Sequence, residues 1–542
     1  MSTILGACLG NCVHVAGIQN FLALAKRHGY VTRFMGPSQA VTRVVEQTAL
    51  ERPDILACSY RLTPDVGREI FRQLRAELTA AGLSGQRLVF GGTPSTCSVA
   101  RESHVFEAVF SGEEPLEKVE AWLVGEGATS QHRLLPQTLA ERIEALAPYP
   151  LVRHHYGRPT IEETLKGGRY ISEAGILDVL SIGSDQNAQE FFFQPERMSP
   201  ELSGGGGVPV RSAEDLHRIY RATRTGNFPL VRCYSGTTDL MRWAPMLAET
   251  INNAWGATPL TWYSELDGRS RRRLEIAIGE NREVAAWWAS RGVPVEFNEP
   301  HQWGLREAHD AMFVVTGYLA ALNAHDVGVR DYVMQMMFNT PRGMSPRADL
   351  AKMLAMAELA GPLESDRFRV HRMTRAGINA LSADPSVAKG HLASSVAYQM
   401  MLRPQIVHVV GFSEADHAID AEELVESCKI AHGAIRLALR GTPDPYEDPW
   451  IRRRLTHLKE EAMRIVRALE TLGEQLRSTF PLADPAVIAA GIRRGVLDAP
   501  HFSDYGVGRG AVRTGIVDGG CEVLDEDGQP VSEEERLSKL GL

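Results

Sequence analysis

In the stretch GNCVHVAGIQN (Gly10–Asn20), His14 stands three residues before Gly17 and two after Cys12, just downstream of the apolar run STILGACL. An imidazole placed there has two uses. It ligates a metal through a ring nitrogen, or it serves as an ordinary polar residue in a turn. Small and polar residues also follow other apolar runs: Ser59, Arg61 and Thr63 in SYRLT, Gly91 and Gly92 in GGTP, and Ser111 to Glu113 in SGE. Glycines at such points let a bulky ligand approach the backbone. Farther along, Arg232 lies in FPLVRCYS and Glu299 in the run Phe297-Asn298-Glu299-Pro300. A planar guanidinium suits two-pronged binding of a carboxylate, with a barrel-mouth salt bridge as its ordinary use. Glu299 accepts a hydrogen bond from an amine or hydroxyl, or caps a helix.

The elements that must position these residues show in the hydrophobic pattern. The runs TILGACL, YVTRFMG, DILACSY, RLVFGG and VFEAVFSG alternate with amphipathic stretches such as GIQNFLALAKRHG and DVGREIFRQLRAELTAAG. Five strands alternating with helices predict a doubly wound, flavodoxin-like (Rossmann-type) parallel sheet, with ligands beyond the carboxyl ends of its strands. After the polar connector GEGATSQHRLLPQTLAERI, eight further strand-like runs recur: YPLVRHH, LDVLSIG, FPLVRCYS, TPLTWYS, VPVEFN, DYVMQMMF, RFRVHRMT and IVHVVGF. Eight strands with intervening helices predict a (β/α)8 TIM barrel, whose active site lies at the carboxyl ends of the strands. Polar or special residues close the runs: His155, Ser184, Ser235, Ser264, Asn298-Glu299-Pro300, Asn339, Thr374 and Ser413. The expected division is 1–127 for the first domain, 128–149 for a linker, 150–445 for the barrel and 446–542 for a helical and irregular extension packing on it.

Bulk composition narrows the function classes. The 542 residues are 44% hydrophobic, enough for two or three cores. The net charge of -9 is small for this length, and without a basic arm it argues against nucleic acid as a partner. Seven scattered cysteines with no CxxC pair predict reduced thiols and a cytoplasmic protein. No run of about eighteen apolar residues and no signal-like start is present, so no membrane partner is expected. The four glycines in ELSGGGGVPV predict a flexible loop at the barrel mouth, since a phosphate cradle wants a following Lys-Ser/Thr.

Taken together, His14, Gly17, Ser59, Gly91 and Gly92 resemble the cobalamin-binding domain shared by B12-dependent mutases and methionine synthase. The second half, from about Leu151 onward, resembles the catalytic subunit of adenosylcobalamin-dependent glutamate mutase (methylaspartate mutase), through FPLVRCYSGTTD, Phe297-Asn298-Glu299-Pro300 and the tail GIRRGVLDAPHFSDYGVGRGAVRTGIVDGG. The resemblance implies that the two pieces are fused here, small one first. It implies that His14 ligates the cobalt of cobalamin from below, with Cys12, Gly17, Ser59, Arg61, Thr63, Gly91, Gly92 and Glu414 around the cofactor. Arg232 and Glu299 take the catalytic positions, and Arg232, Asn187 and Glu265 the substrate contacts. The implied activity is a radical carbon-skeleton mutase acting on a small carboxylic or amino acid, working as a homodimer with adenosylcobalamin.

Departures from the family pattern qualify that picture. Cys12 replaces the family's aspartate, and Arg61 its leucine. The stretch GSDQNAQE lacks a second substrate-gripping arginine, and Gly411 replaces a ribose-binding lysine. These changes fall where substrate and adenosyl group are recognised, so a substrate other than glutamate is expected. Two alternatives remain: another cobalamin-dependent isomerase or eliminase, and a corrin-binding carrier or sensor with an inactive barrel. An aminomutase with pyridoxal phosphate is disfavoured, because Lys352 and Lys389 lie in helical contexts.

Overall fold

The structure is a computed structural model that describes residues 2–114, 116–125, 135–502 and 506–542. The chain divides into two compact units, 1–132 and 133–542. The boundary expected at 127/128 lies outside the described residues.

The first unit is a parallel sheet of five strands: β1 (Thr3–Cys8), β2 (Val31–Phe34), β3 (Ile55–Tyr60), β4 (Arg87–Gly92) and β5 (Ala108–Phe110). Their order is β2-β1-β3-β4-β5, the flavodoxin-like arrangement. The sequence explains the layering. Every residue of β3 (ILACSY) is buried, as expected for a central strand covered by helices on both faces. Edge strand β2 (VTRF) alternates exposed and half-buried positions. Phe71, Phe90 and Phe106 pack with ring centroids 4.9–5.1 Å apart and fill the space between sheet and helix.

The second unit is a (β/α)8 barrel built from β6 (Leu151–Tyr156), β7 (Val179–Ile182), β8 (Leu230–Cys233), β9 (Gly256–Thr258), β10 (Val295–Phe297), β11 (Asp331–Phe338), β12 (Arg369–Ala376) and β13 (Ile406–His408). Neighbours in sequence are neighbours in space, and β13 pairs with β6. Two backbone hydrogen bonds close the β8/β9 seam, Ala254 N to Val231 O at 2.9 Å and Ser235 N to Ala257 O at 3.2 Å.

Seven of the eight strand-like runs hold their strands where expected, and the fourth is displaced. TPLTWYS predicts a strand ending at Ser264, whereas β9 ends at Thr258. Pro259 has no amide hydrogen to continue the ladder, and the amides of Leu260 and Thr261 donate instead to the Glu299 carboxylate, at 2.7 and 3.0 Å.

Part of the segment expected to be a linker is built into the barrel. A helix at Leu139–Leu146 closes its amino-terminal end, with Leu139 and Ile143 packed among Leu151, Val179, Leu230, Trp255, Val333 and Ile406. Arg142 fixes the plug by donating to the carbonyls of Pro136, Asp178 and Phe228 at 2.8, 3.3 and 2.9 Å. That end is sealed by apolar side chains, which leaves the carboxyl end for chemistry.

The residues after the barrel belong to the same unit. A helix at Pro449–Leu476 packs on those at Asp310–Asp326 and Pro346–Ala360. An antiparallel hairpin, β14 (Thr514–Val517) and β15 (Gly520–Val523), follows; the sequence pattern had not marked it. Asp310 ties it down, accepting from Cys521 N at 3.1 Å and from Arg454 at 2.8 Å. No helix among the described residues is long and apolar enough to cross a membrane.

Candidate functional site

In the first unit the strand order reverses between β1 and β3, the crevice where open α/β sheets bind ligands. His14 lies in the loop from β1 to the helix at Ala16–Arg27, with its residue exposed. Cys12 is buried beneath it, with Sγ 3.8 Å from His14 Nδ1. Beside His14, Val13 is 61% exposed, and the loop and helix after β3 expose Leu62 and Val66. Apolar side chains left in water after the adjacent strands β1 and β3 make a surface suited to a large flat ligand.

The other residues marked from the sequence in this unit follow β1, β3 and β4, which are adjacent strands. Arg61 and Thr63 are exposed, while Ser59 is buried and its carbonyl accepts from Leu9 N at 2.9 Å. A Cβ added at Gly17 would meet nothing, and at Gly91 only Phe110 O at 4.0 Å, so both positions leave open space. Gly92 is different. A Cβ there would stand 2.7 Å from Tyr60 O, so backbone packing demands glycine.

The interior of the barrel departs from the usual apolar filling. Every second position of its strands points inward, and at several of them the side chain is charged or polar. Arg153 of β6, Arg232 of β8, Glu296 of β10 and Gln335 of β11 are all fully buried. Tyr234, His155, His408 and the half-buried Arg375 of β12 complete the group.

Arg153 is fully engaged. It donates to Ser181 Oγ at 2.8 Å, His408 Nδ1 at 3.1 Å and His155 Nε2 at 3.0 Å. Both imidazoles accept from a cation and so stay neutral. Burial, reinforced by Arg153 and its fellow guanidiniums, holds His155 and His408 well below the usual histidine range. The same burial, with Arg232 nearby, lowers Arg153 itself to about 10. Burial pushes the Tyr234 phenol up, but Arg232 and Arg153 more than offset it and hold it below the ordinary tyrosine value.

Arg232 is placed differently. Its guanidinium lies between the faces of Tyr234 and Trp255, 4.2 and 4.8 Å from the ring centroids. Its hydrogen bond to Ser181 Oγ is long, 3.4 Å, and its ion pair with Glu296 longer, 3.7 Å. Nε and Nη2 are buried without a hydrogen-bond partner. Glu296 is held by Trp255 Nε1 at 2.7 Å and Gln335 Nε2 at 3.3 Å. Toward the carboxyl end, Asn298 Oδ1 and His301 Nδ1 are likewise buried without partners among the described residues. Burial first, then Arg375 and Arg306, keeps His301 neutral. Buried polar atoms are nearly always paired, so a cluster of orphans marks a place where a ligand supplies the missing partners. Arg153, Arg232 and Arg375 face Glu296 in the core and Glu414 at the rim, which leaves a positive surplus that suits an anion.

Of the substrate and catalytic positions marked from the sequence, only Arg232 belongs to this core. Glu299 is saturated by the amides of Leu260 and Thr261, the Thr261 hydroxyl and Trp303 Nε1, so it shapes the loop after β9. Asn187 is engaged at both ends with the Ser199 backbone, at 2.6 and 3.0 Å. Glu265 accepts from Leu274 N and Arg493, both at 3.0 Å, and so braces the chain outside the barrel. Glu414 accepts from Gly411 N at 2.7 Å and lies 3.2 Å from His154 Nε2.

The four-glycine loop exposes Gly205 and Gly206 and buries Gly207. Gly204 and Gly206 take positive φ, and a Cβ at Gly207 would stand 2.3 Å from Gly183 O. Sequence reasoning missed Arg153, Tyr234, Glu296, Arg375 and His408. The available signal was a charged or aromatic polar residue interrupting a barrel strand: R in LVRHHY, E in VEF, the second R in HRMTR.

No protein-family model matches the chain, and no curated protein matches it. Among solved structures, a cobalamin-binding protein from Desulfitobacterium hafniense DCB-2 is similar over 23% of this chain and 59% of its own, at 21% identity and a TM-score of 0.21. A truncated 3-deoxy-D-arabino-heptulosonate 7-phosphate synthase from Thermotoga maritima is similar over 54% of this chain and 88% of its own, at 12% identity and a TM-score of 0.30. The cobalamin-dependent S-adenosylmethionine radical enzyme OxsB is similar over 62% of this chain and 50% of its own, at 10% identity and a TM-score of 0.19. This chain thus spans less than two thirds of the first and third of these structures. Likenesses this remote carry no functional argument.

Proposed function

We propose that this chain is a cobalamin-dependent enzyme in which the first unit holds the corrin and the barrel holds a small anionic substrate. The observation that carries the reading is the presence, in one chain, of an exposed ring nitrogen at a sheet's switch point and a barrel core with a surplus of buried guanidinium. The residues present fit the cofactor. His14 engages Cys12 through Nδ1, which leaves Nε2 as the ring nitrogen to ligate cobalt. Val13, Leu62 and Val66 offer apolar contact to a macrocycle, and Gly17 and Gly91 leave room for it.

Bound adenosylcobalamin supplies a carbon radical by homolysis, and the protein supplies placement and electrostatics. The finer reading is a carbon-skeleton mutase acting on a small carboxylic or amino acid. Arg232 brings unspent donors to a carboxylate, and Arg375 stands half-buried with a weak hydrogen bond, Nε to Ala376 O at 3.4 Å, as its one bond among the described residues. The neutral imidazoles of His155, His301 and His408 orient polar substituents by accepting or donating without adding charge. The sealed amino-terminal end excludes water from below the core.

The test is anaerobic loading of the purified chain with adenosylcobalamin. A corrin spectrum that His14→Ala weakens or removes, together with a paramagnetic signal appearing on addition of one acid from a panel of dicarboxylates and amino acids, supports the reading. Corrin binding with no signal from any acid leaves a carrier or sensor. No corrin binding refutes the proposal.

A further inference from the structure

We infer that Cys12 is the residue that positions His14 and sets the strength of its bond to cobalt. The inference rests on the reading of His14 as a cobalamin ligand and concerns how this chain tunes it.

Two thiols bracket His14. Cys8, the last residue of β1, donates from Sγ to the His14 carbonyl at 3.8 Å, and Cys12 Sγ lies 3.8 Å from Nδ1. Both cysteines are buried in the core of the first unit, whereas His14 is exposed. The sulfur atoms are therefore fixed by packing, and they hold backbone and ring of a residue that otherwise faces solvent.

A thiol differs from the usual partner of a metal-bound imidazole. A carboxylate or backbone carbonyl only accepts, so it keeps the proton on Nδ1 and leaves the Nε2 lone pair for the metal. A thiol donates and accepts, both weakly. When Sγ–H donates to Nδ1, the ring proton sits on Nε2 and the imidazole cannot ligate. When Nδ1–H donates to sulfur, it can. Ligation must therefore select one of two closely balanced tautomers, and the sulfur adds little to the basicity of the ring. The expected result is a cobalt–imidazole bond weaker than a carboxylate partner would give, within the roughly ten- to hundredfold range over which such outer partners act.

The experiment uses the full chain loaded with cob(II)alamin and prepared with isotopically labelled histidine. Electron paramagnetic resonance then reads imidazole ligation as a change in nitrogen splitting. Wild type is expected to give a mixture of histidine-ligated and unligated corrin. Cys12→Asp moves the mixture toward the ligated form and tightens corrin binding about tenfold. Cys12→Ala moves it toward the unligated form. Should the aspartate fail to fold in this buried place, Cys12→Ser, whose hydroxyl accepts better than a thiol, is expected to move it in the same direction as aspartate. Equal ligated fractions in all variants overturn the role of Cys12 and leave His14 standing as the ligand. A wild-type spectrum without a histidine signal, or one that His14→Ala does not change, overturns the ligand reading and the role of Cys12 with it.

Discussion

Replacing Glu296 with glutamine changes one charge in the barrel core and almost no volume. In the wild type its Oε2 lies 3.7 Å from Arg232 Nη2, and Trp255 Nε1 and Gln335 Nε2 donate to the carboxylate at 2.7 and 3.3 Å. At that separation and an effective dielectric near 20, the ion pair contributes about 4 kcal/mol. Removing the buried carboxylate also removes its desolvation cost, several kcal/mol in the other direction. The hydrogen bonds need not be lost. Gln335 Oε1 has no partner, so its amide can turn and accept from the new one while Trp255 keeps its acceptor. What remains is Arg232 buried without its counter-ion beside Arg153, and removing one partner of a buried pair costs about 3–5 kcal/mol. The same surplus charge must strengthen anion binding, and a bound anion stabilises the fold by an amount that rises with the logarithm of its affinity. Urea unfolding followed by tryptophan fluorescence, with and without sulfate or succinate, separates the two effects. Glu296→Gln is expected to unfold at lower urea than wild type without the anion and to recover more than wild type gains when it is added. A variant as stable as wild type, or one that gains no more from the anion, would falsify the view that Glu296 balances a cationic binding core.

Two further outcomes follow from particular side chains. Burial pushes the Asp178 carboxyl up to about 6, against the pull of its 2.8 Å hydrogen bond from Val152 N and of Arg142, so the folded chain keeps a proton that the unfolded chain releases near pH 4. That stabilisation is complete below about pH 4 and is lost as pH rises to about 6; Asp178→Asn, which still accepts from Val152, should flatten this window by about 3 kcal/mol, and unfolding curves parallel to wild type across it would refute the assignment. At the barrel mouth, Gly207→Ala should cost about 1–3 kcal/mol because its Cβ would stand 2.3 Å from Gly183 O, whereas Gly205→Ala meets Leu202 O only at 3.4 Å and should be milder; equal thermal shifts for the two would mean the loop is not held against β7.

Much of the architecture was legible because each strand carries its own signal. The run DILACSY is apolar but for Asp54 and Ser59 and holds the fully buried β3, and DYVMQMMF holds the fully buried β11. The displacement of β9 was not legible, because TPLTWYS is apolar enough for a strand and only the distant Glu299 captures its amides. Site residues divided in the same way. His14 announced itself through its loop and the glycine after it. Glu299 and Asn187 looked available because a sequence shows a carboxylate or amide without the donors that occupy it.

By itself, then, the sequence determined most of the strands of the two parallel sheets, that they alternate with helices, and hence which loops lie at the carboxyl ends; it did not place β9 or mark the β14/β15 hairpin. These are consequences of local periodicity and chain connectivity. Only the tertiary structure decided that Arg153, Arg232, Glu296, Arg375 and His408 meet inside one barrel, since they come from five strands spread over more than half of the second unit. Their protonation and their unspent hydrogen bonds depend on burial and on one another's charge, and neither exists until the barrel closes.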